Sequence, residues 1–193
     1  IDLSRCGEKS DYALHYPVEL LHVGRFFPQK NHEVLVQAAA ILKKRGCNVR
    51  IRCCGDGPLL ESIQKQALEA GLSGQIVFEG VCSDILNRMT QADIFLLPSK
   101  WEGMPMTIIE AMGTGLPVVA SRVGGVPDII TDGESGLLIP PTAEALAQAI
   151  ERLVKDEALR EHLGTQARQE ARRFSIEAMA QGYEALYAHL TED

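Results

Sequence analysis

Residues 92–120 read ADIFLLPSKWEGMPMTIIEAMGTGLPVVA, and this stretch decides the fold. Ile94–Leu97 is uniformly apolar, which is typical of a strand buried on both faces of a parallel sheet. The spacing of apolar residues over 106–112 predicts a helix, and 117–120 is a second apolar run of strand length. A strand, a helix and a strand in this order indicate two parallel strands joined by a helical crossover.

The same alternation of strands and helices extends in both directions along the chain. Further strands are predicted at 19–24, 49–54, 76–78 and 136–139. Helices are predicted at 32–44, 58–70 and 84–91, a helical turn at 126–130, and 143–190 is predicted as helical with a break near 174–175. This order predicts an α/β fold: a single Rossmann-like domain with a six-stranded, mostly parallel sheet and helices on both faces.

Length, composition and charge exclude several classes of protein. The chain has 193 residues, of which 46% are apolar and 23% charged, so overall disorder is excluded. The net charge of −7 argues against nucleic acid or an anionic membrane as a partner, because both need clustered Lys and Arg. No apolar run approaches the roughly 20 residues of a membrane helix, and no signal peptide is recognisable. The first residue is Ile1 rather than Met, which suggests a fragment.

Several catalytic and metal-binding motifs are missing from the sequence. The five cysteines include no C-x-x-C pair, so a disulfide framework or structural zinc is not expected and a reducing compartment fits best. Cys53 and Cys54 are adjacent in a predicted strand and should point to opposite faces. Without Asp-x-Asp, His-x-His or His-Glu-x-x-His, no metal site is predicted. Dinucleotide, phosphate-loop and nucleophilic serine motifs are also missing.

The loop at 24–32 is the first candidate for a ligand site. Ligands of doubly wound sheets bind outside the carboxyl ends of the strands, where this loop lies. Arg25 can make a forked contact to phosphate, and Lys30 supplies a point charge. Gly24 allows a close turn, and the start of the next helix adds partial positive charge. The alternative is that both cations are solvated surface residues.

The loop at 98–105 and the helix after it hold a second candidate. Glu102 follows a strand and Glu110 lies seven residues further on, in a largely apolar helix. A carboxylate can accept from two neighbouring hydroxyls, so the pair suits a sugar or a ribose. Gly103 would free backbone N–H groups for an anion. The alternative is two surface glutamates, but a charge in an apolar stretch needs a partner, which favours a function for Glu110.

Taken together, the motifs resemble the family-4 retaining glycosyltransferases of the GT-B fold. The resemblance covers about residues 18–155, and the ordered set of motifs is far more specific than any one of them. They are VGR at 23–25 with Lys30, GDGP at 55–58, FEG at 78–80, ADIFLLPSKWEGMP at 92–105, EAMG at 110–113, GLPVVA at 115–120, GGVPD at 124–128, and DG at 132–133 through GLL at 136–138.

The resemblance implies that this chain is the C-terminal, donor-binding half of a GT-B fold. Its N-terminal acceptor domain is then missing, and 1–17 is the remnant of the interdomain linker. Residues 18–174 form the nucleotide-sugar-binding domain, and 175–193 form a C-terminal crossover helix and tail. That helix has an apolar stripe, part of which should be exposed in this chain if the family's geometry holds. The alternative is that the stripe packs on its own domain. The stripe consists of Ile176, Met179, Tyr183, Leu186, Tyr187 and Leu190.

The family's pattern also implies a role for each matching residue. Arg25 and Lys30 match cations that hold the donor diphosphate, and with Glu102 they form the expected catalytic set. Glu102 is expected near the hydroxyls of the transferred sugar, and Glu110 on the ribose. The remaining donor-binding residues are Gly24 in the first loop, Gly80, Val81 and Ile85 near the nucleobase, and the backbone N–H groups of Gly103 and Met104. Asp128 stands where the family more often has Glu, which leaves a role there open.

The expected reaction transfers a hexosyl group from a UDP- or GDP-sugar to a glycan or lipid-linked acceptor, with retention and without metal or cofactor. The protein is expected in the cytoplasm or peripherally at the inner face of the cell membrane, with any membrane contact made through the missing domain. Two alternatives stay open. One is a nucleotide-sugar epimerase-like or phosphorylase-like enzyme of the same fold, and the other is a non-catalytic doubly wound binding module.

Overall fold

A computed structural model describes the backbone of residues 1–191 and the side chains of residues 1–189. The strands are β1 Val18–Val23, β2 Val49–Cys54, β3 Ile76–Gly80, β4 Ile94–Leu97, β5 Val118–Ser121 and β6 Leu137–Ile139. The helices are α1 His32–Lys44, α2 Leu60–Glu69, α3 Ile85–Gln91, α4 Met106–Thr114, α5 Ala143–Lys155, α6 Glu157–Ala171 and α7 Ile176–Thr191.

The six strands form one sheet in the order β3-β2-β1-β4-β5-β6. Every neighbouring pair is parallel, so the Rossmann-like α/β fold is confirmed, with a sheet that is wholly rather than mostly parallel. Strand order reverses between β1 and β4, because β2 and β3 lie on one side and β5 and β6 on the other. In doubly wound folds, ligands bind at the carboxyl edge of this switch point.

Each face of the sheet buries its own apolar core. Helices α1, α2 and α5 pack on one face, and α3 and α4 cover the other. Cys53 faces the first core and Cys54 the second, which confirms the predicted opposite orientation. β4 and β5 are buried along their whole length, as the apolar runs at 94–97 and 117–120 predict.

The helical region after residue 143 differs from the prediction in one respect. It contains a second break, at Asp156, which separates α5 from α6. Asp156 has extended backbone angles, and its carboxylate accepts from the N–H of Leu159 at 2.9 Å, so it caps α6. The predicted break near Phe174 and Ser175 is confirmed, and the Ser175 hydroxyl accepts from the N–H of Ala178 at 3.0 Å.

The segment 1–17 lies against the domain. The guanidinium of Arg160, which is buried, donates to the carbonyl of Tyr12 at 2.7 Å. The hydroxyl of Tyr12 donates to the carbonyl of Gly115 at 2.9 Å, and Lys9 forms an ion pair with Asp93 at 3.7 Å. The assignment of residues 1–17 as the remnant of an interdomain linker stays a prediction.

Candidate functional site

Two predicted site residues meet at the switch point of the sheet. Lys30 ends the loop after β1, and Glu102 lies in the loop after β4. The Nζ atom of Lys30 is 2.6 Å from Oε1 of Glu102. The side chain of Lys30 is 16% exposed and that of Glu102 is 5% exposed, so the ion pair is largely screened from water. The predicted phosphate-binding cation and sugar-binding carboxylate are therefore direct partners.

Two further side chains hold the Glu102 carboxylate. The hydroxyl of Ser99 donates to Oε1 at 2.6 Å, and the amide of Gln29 donates to Oε2 at 3.2 Å. Both oxygens thus have donors, which fixes the direction of the carboxylate before any ligand arrives. Sequence reasoning did not assign roles to Ser99 and Gln29, because their importance depends on which loops the sheet brings together.

Hydrogen bonds tie the β1 loop to the β4 loop. The side-chain amide of Asn31, which is buried, donates to the carbonyl of Pro98 at 3.0 Å. The N–H of Lys100 donates to the carbonyl of Gln29 at 2.8 Å. Asn31 has the left-handed backbone angles φ 56° and ψ 43°, which Asn tolerates better than most residues. These bonds hold Lys30 and Glu102 at a fixed separation.

The glycine-rich loop after β5 packs directly on the backbone of Glu102. A Cβ atom at Gly124 would lie 1.8 Å from the Glu102 carbonyl oxygen, and Gly124 has a φ of +51°. The N–H of Gly125 donates to that carbonyl at 3.2 Å. Both the close approach and the positive φ require glycine at position 124. The glycine turn therefore supports the loop that carries Glu102.

Two buried histidines lie beneath Gly24 and Lys30. The Nδ1 of His22 donates to the carbonyl of Leu96 at 2.9 Å, while its Nε2 and both ring nitrogens of His32 have no partner among the described residues. Burial lowers the pKa of His22 to about 4, and burial and the neighbouring His22 lower that of His32 to about 2. Both rings are therefore neutral at pH 7, and no sequence motif pointed to them.

A cavity of about 480 Å³ opens at the carboxyl ends of β1, β2 and β3. Four predicted donor-binding residues line it: Gly24, Arg25, Val81 and Ile85. Arg25 is exposed, and its guanidinium lies 4.6 Å from the ring centre of Phe27. No described acidic side chain forms an ion pair with Arg25, so its charge is available to an anion in this cavity.

Glu110 lines a second cavity, of about 520 Å³. Ile85 lies between the two cavities and lines both. Partial burial raises the pKa of Glu110 above its ordinary value. Its carboxylate has no hydrogen-bond or ion-pair partner among the described residues, although a carboxylate at this depth needs one. A ligand with hydroxyl groups would supply that partner.

The remaining predicted residues lie at the rim of the site. Gly80 ends β3 beside the first cavity, and Gly103 and Met104 are exposed on the loop after Glu102. Gly103 also contacts the β5 loop, because a Cβ at Gly125 would lie 2.2 Å from its carbonyl oxygen. All ten predicted residues therefore lie at the carboxyl end of a strand, in the loop that follows a strand, or in the next helix. Lys30 and Glu102 touch, whereas Glu110 stands apart from that pair, on the second cavity.

The chain is similar to several known glycosyltransferases. It is 35% identical to the D-inositol 3-phosphate glycosyltransferase of Corynebacterium efficiens, over 97% of this chain and 47% of that protein. It is 31% identical to the alpha-D-kanosaminyltransferase of Streptomyces kanamyceticus, over 96% of this chain and 49% of that protein. The chain thus spans about half the length of these relatives.

The chain is also similar in structure to proteins of known structure. All of this chain superposes on 51% of the sucrose-phosphate synthase of Thermosynechococcus elongatus, with a TM-score of 0.87 and 30% identity. Anabaena HepE, solved in complex with UDP and glucose, matches 88% of this chain with a TM-score of 0.81 and 25% identity, over 48% of its own chain. A C-terminal domain of a group 1 glycosyltransferase from Francisella tularensis shares the fold along 99% of its length, at 21% identity and a TM-score of 0.81.

Among the described residues, no helix is long and apolar enough to cross a membrane. The sheet order, the glycine-supported loops and the similarity to these transferases agree with one family assignment. Residues 13–170 match the sequence profile of that family, and the chain belongs to the glycosyl transferases group 1.

Proposed function

We propose that this chain is the donor-binding half of a retaining, metal-independent glycosyltransferase that transfers a hexosyl group from a nucleotide diphosphate sugar. One observation carries the proposal: the Lys30–Glu102 pair lies at the switch point of the sheet. Arg25 and Glu110, two charged groups without ion-pair partners among the described residues, line cavities that share Ile85. Two cations and two carboxylates at this edge of the sheet are the kinds of group that a diphosphate and its two sugars would need.

The chemistry follows from the charges at this edge. When the bond between the sugar and the diphosphate breaks, negative charge grows on the leaving phosphate. Arg25 and Lys30 would stabilise that charge more in the transition state than in the ground state. Glu102, held by Ser99 and Gln29, would accept hydroxyl groups of the transferred sugar. Two protein cations can supply the charge stabilisation that a divalent metal supplies in other transferases.

Glu110 is proposed to bind the ribose of the donor. Its carboxylate is half-buried and lacks a protein partner, and two ribose hydroxyls would supply two donors. The segment from Gly80 to Ile85 lies between the cavities and is proposed to meet the nucleobase. HepE was solved with UDP, which makes a uridine donor the first to test, with a guanosine donor as the alternative.

The acceptor is proposed to bind to a further, N-terminal domain. This chain spans about half of its relatives, and α7 exposes Ile176, Met179, Tyr183, Leu186 and Tyr187 along one helix face. This exposure was predicted; the side chain of Leu190 lies outside the described residues. We propose that the stripe packs on that domain, and that the isolated chain transfers sugar poorly. The free cysteines fit a cytoplasmic location.

The test is thermal denaturation with UDP, GDP and ADP, each in the presence and absence of EDTA. A nucleotide at 100 times its dissociation constant stabilises a protein by about 2.7 kcal/mol. For a chain of this size, each kcal/mol corresponds to about 2–4 °C, so the melting temperature should rise by roughly 5–11 °C. We expect one nucleotide to produce this rise, and EDTA to leave it unchanged.

Glu110→Gln should abolish most of the rise, because the amide replaces one acceptor oxygen with a donor. The matched control is Glu61→Gln, on the exposed face of α2, which should keep the full response. Stabilisation that survives in Glu110→Gln would contradict the ribose assignment. If no nucleotide stabilised the wild-type protein, this chain would not be a donor-binding domain on its own.

A further inference from the structure

Three potential metal ligands converge on the wall of the first cavity. Cys54 ends β2, Glu79 lies in β3, and Cys82 follows β3 by two residues. The Cys54 thiol donates to Oε2 of Glu79 at 3.5 Å, and the Cys82 thiol approaches the same oxygen at 3.9 Å. The two sulfurs and this carboxylate lie within 4.8 Å of one another. All three groups belong to the carboxyl ends of two adjacent strands.

These separations match those within a tetrahedral metal site. Zinc binds thiolate at about 2.3 Å and carboxylate oxygen at about 2.0–2.2 Å, so neighbouring ligand atoms in a tetrahedron lie roughly 3.4–3.8 Å apart. The two sulfur-to-oxygen distances are close to this range without any backbone movement. Two sulfur ligands favour a thiophilic ion over magnesium or calcium.

The surrounding charges also suit a bound cation. Oε1 of Glu79 forms an ion pair with Arg52 at 2.5 Å, and Arg88 binds Oε2. A metal ion would displace Arg88 from Oε2, and Arg88 would keep its second ion pair, with Asp84 at 2.6 Å. Two thiolates, one carboxylate and one divalent ion carry a net charge of −1. Arg52, which stays on Oε1, offsets this charge.

The site has access to solvent and space for a fourth ligand. Cys54 and Cys82 both line the 480 Å³ cavity, together with Gly24 and Arg25. We propose that Cys54, Glu79 and Cys82 bind a thiophilic divalent cation, Zn²⁺, whose fourth position is open to water from this cavity. No sequence motif predicted this site, because Cys54 and Cys82 lie far apart in the chain; the pairing of Cys54 with Gly80 in the sheet brings them together.

The experiment uses Co²⁺ as a spectroscopic probe of the reduced protein, kept in a non-thiol reductant. We expect one equivalent of Co²⁺ to produce a thiolate-to-cobalt charge-transfer band, and Zn²⁺ to displace it. Cys82→Ser should abolish this band; Cys82 is only partly buried, and a melting curve checks that the variant folds. Cys47→Ser, at a cysteine outside the cluster, is the matched control and should keep the band.

Glu79→Gln tests whether the carboxylate binds the metal in addition to the two cysteine thiolates. We expect the charge-transfer band to remain in that variant, with an affinity for Zn²⁺ at least about 10-fold lower, because a charged ligand has been lost. If wild-type protein gave no band, or if Cys82→Ser kept a stoichiometric band, the proposed site would be wrong. None of these readouts depends on nucleotide binding, so the result stands apart from the donor-site proposal.

Discussion

The Nζ atom of Lys30 lies 2.6 Å from Oε1 of Glu102, although the two residues are 72 positions apart in the chain. The cation proposed for the diphosphate is thus paired with the carboxylate proposed for the sugar. On these proposed roles, an incoming donor would share Lys30 with Glu102, and the pair would link phosphate recognition to sugar recognition. The strength of the pair can be measured.

A double-mutant cycle with Lys30→Met and Glu102→Gln measures that strength. Each single change leaves a largely buried group without its main partner, whereas the double variant removes both charges. From urea denaturation we expect a coupling energy of roughly 1–3 kcal/mol. The same cycle on Arg45 and Glu144, whose side chains are 36% and 51% exposed, should give less than about 1 kcal/mol. Equal couplings would show that burial does not strengthen the Lys30–Glu102 pair.

Arg25 should matter for binding and hardly at all for folding. It is exposed, and its guanidinium lies against the ring of Phe27, so Arg25→Ala should change the free energy of unfolding by less than about 0.5 kcal/mol. Hydrogen bonds to charged groups contribute about 1.5–3 kcal/mol, which predicts a roughly 10- to 100-fold loss of affinity for a nucleoside diphosphate.

Calorimetry with UDP and with uridine checks the Arg25 prediction, because only UDP carries the diphosphate. Lys65→Ala, which removes an exposed cation on α2, is the control and should leave both affinities unchanged. An equal loss for UDP and uridine in Arg25→Ala would place Arg25 away from the phosphates. Arg25→Lys should recover only part of the affinity, since it lacks the forked contact.

Gly124→Ala should disturb the β4 loop through the backbone of Glu102. Gly133 offers a matched control, because it also has a positive φ, +79°, but has open space around it. Gly133→Ala should cost roughly 1–2 kcal/mol of stability from backbone strain alone. Gly124→Ala should cost about 1–3 kcal/mol more, because its Cβ meets the Glu102 carbonyl oxygen. Similar losses in two urea denaturation curves would contradict this.

The fold was largely predictable from the sequence because local patterns determine it. Six strands were expected and six are observed, with bounds that differ by no more than two residues at either end. The break at Asp156 was missed, since apolar spacing continues on both sides of it and one capping aspartate is a weak signal. The extension of β3 to Gly80 depends on its pairing with Cys54, which a single strand does not reveal.

The residues of the site could be predicted from the sequence, but the contacts between them could not. Motifs pointed to Arg25, Lys30, Glu102 and Glu110, whereas the sequence gives no distance between residues of different loops. The direct contact of Lys30 with Glu102 and the isolation of Glu110 on a second cavity follow from the strand order. The pair of Cys54 and Cys82 was missed for the same reason. Long-range contacts of this kind require the tertiary structure.

The buried pair of His22 and His32 should make the protein sensitive to mild acid. Their pKa values are lowered to about 4 and about 2, whereas an unfolded histidine has a pKa near 6.5. Below pH 6.5 the unfolded chain therefore binds protons that the folded chain does not. Stability should fall with decreasing pH, by up to about 1.4 kcal/mol per pH unit for each histidine, until pH 4, where His22 begins to titrate in the folded state.

Urea denaturation between pH 7.5 and 4.5 measures this slope. His32→Phe keeps a ring that can stack on Phe26, as the imidazole does at 3.9 Å between ring centres, and removes two ring nitrogens that lack partners. The variant should lose about half of the pH dependence of stability. It should also retain more stability than wild type at pH 5, because phenylalanine at position 32 binds no proton in the unfolded state. His15→Gln, at an exposed histidine, should keep the wild-type slope. An unchanged slope in His32→Phe would mean that carboxylates, and not the buried histidine pair, cause the acid sensitivity.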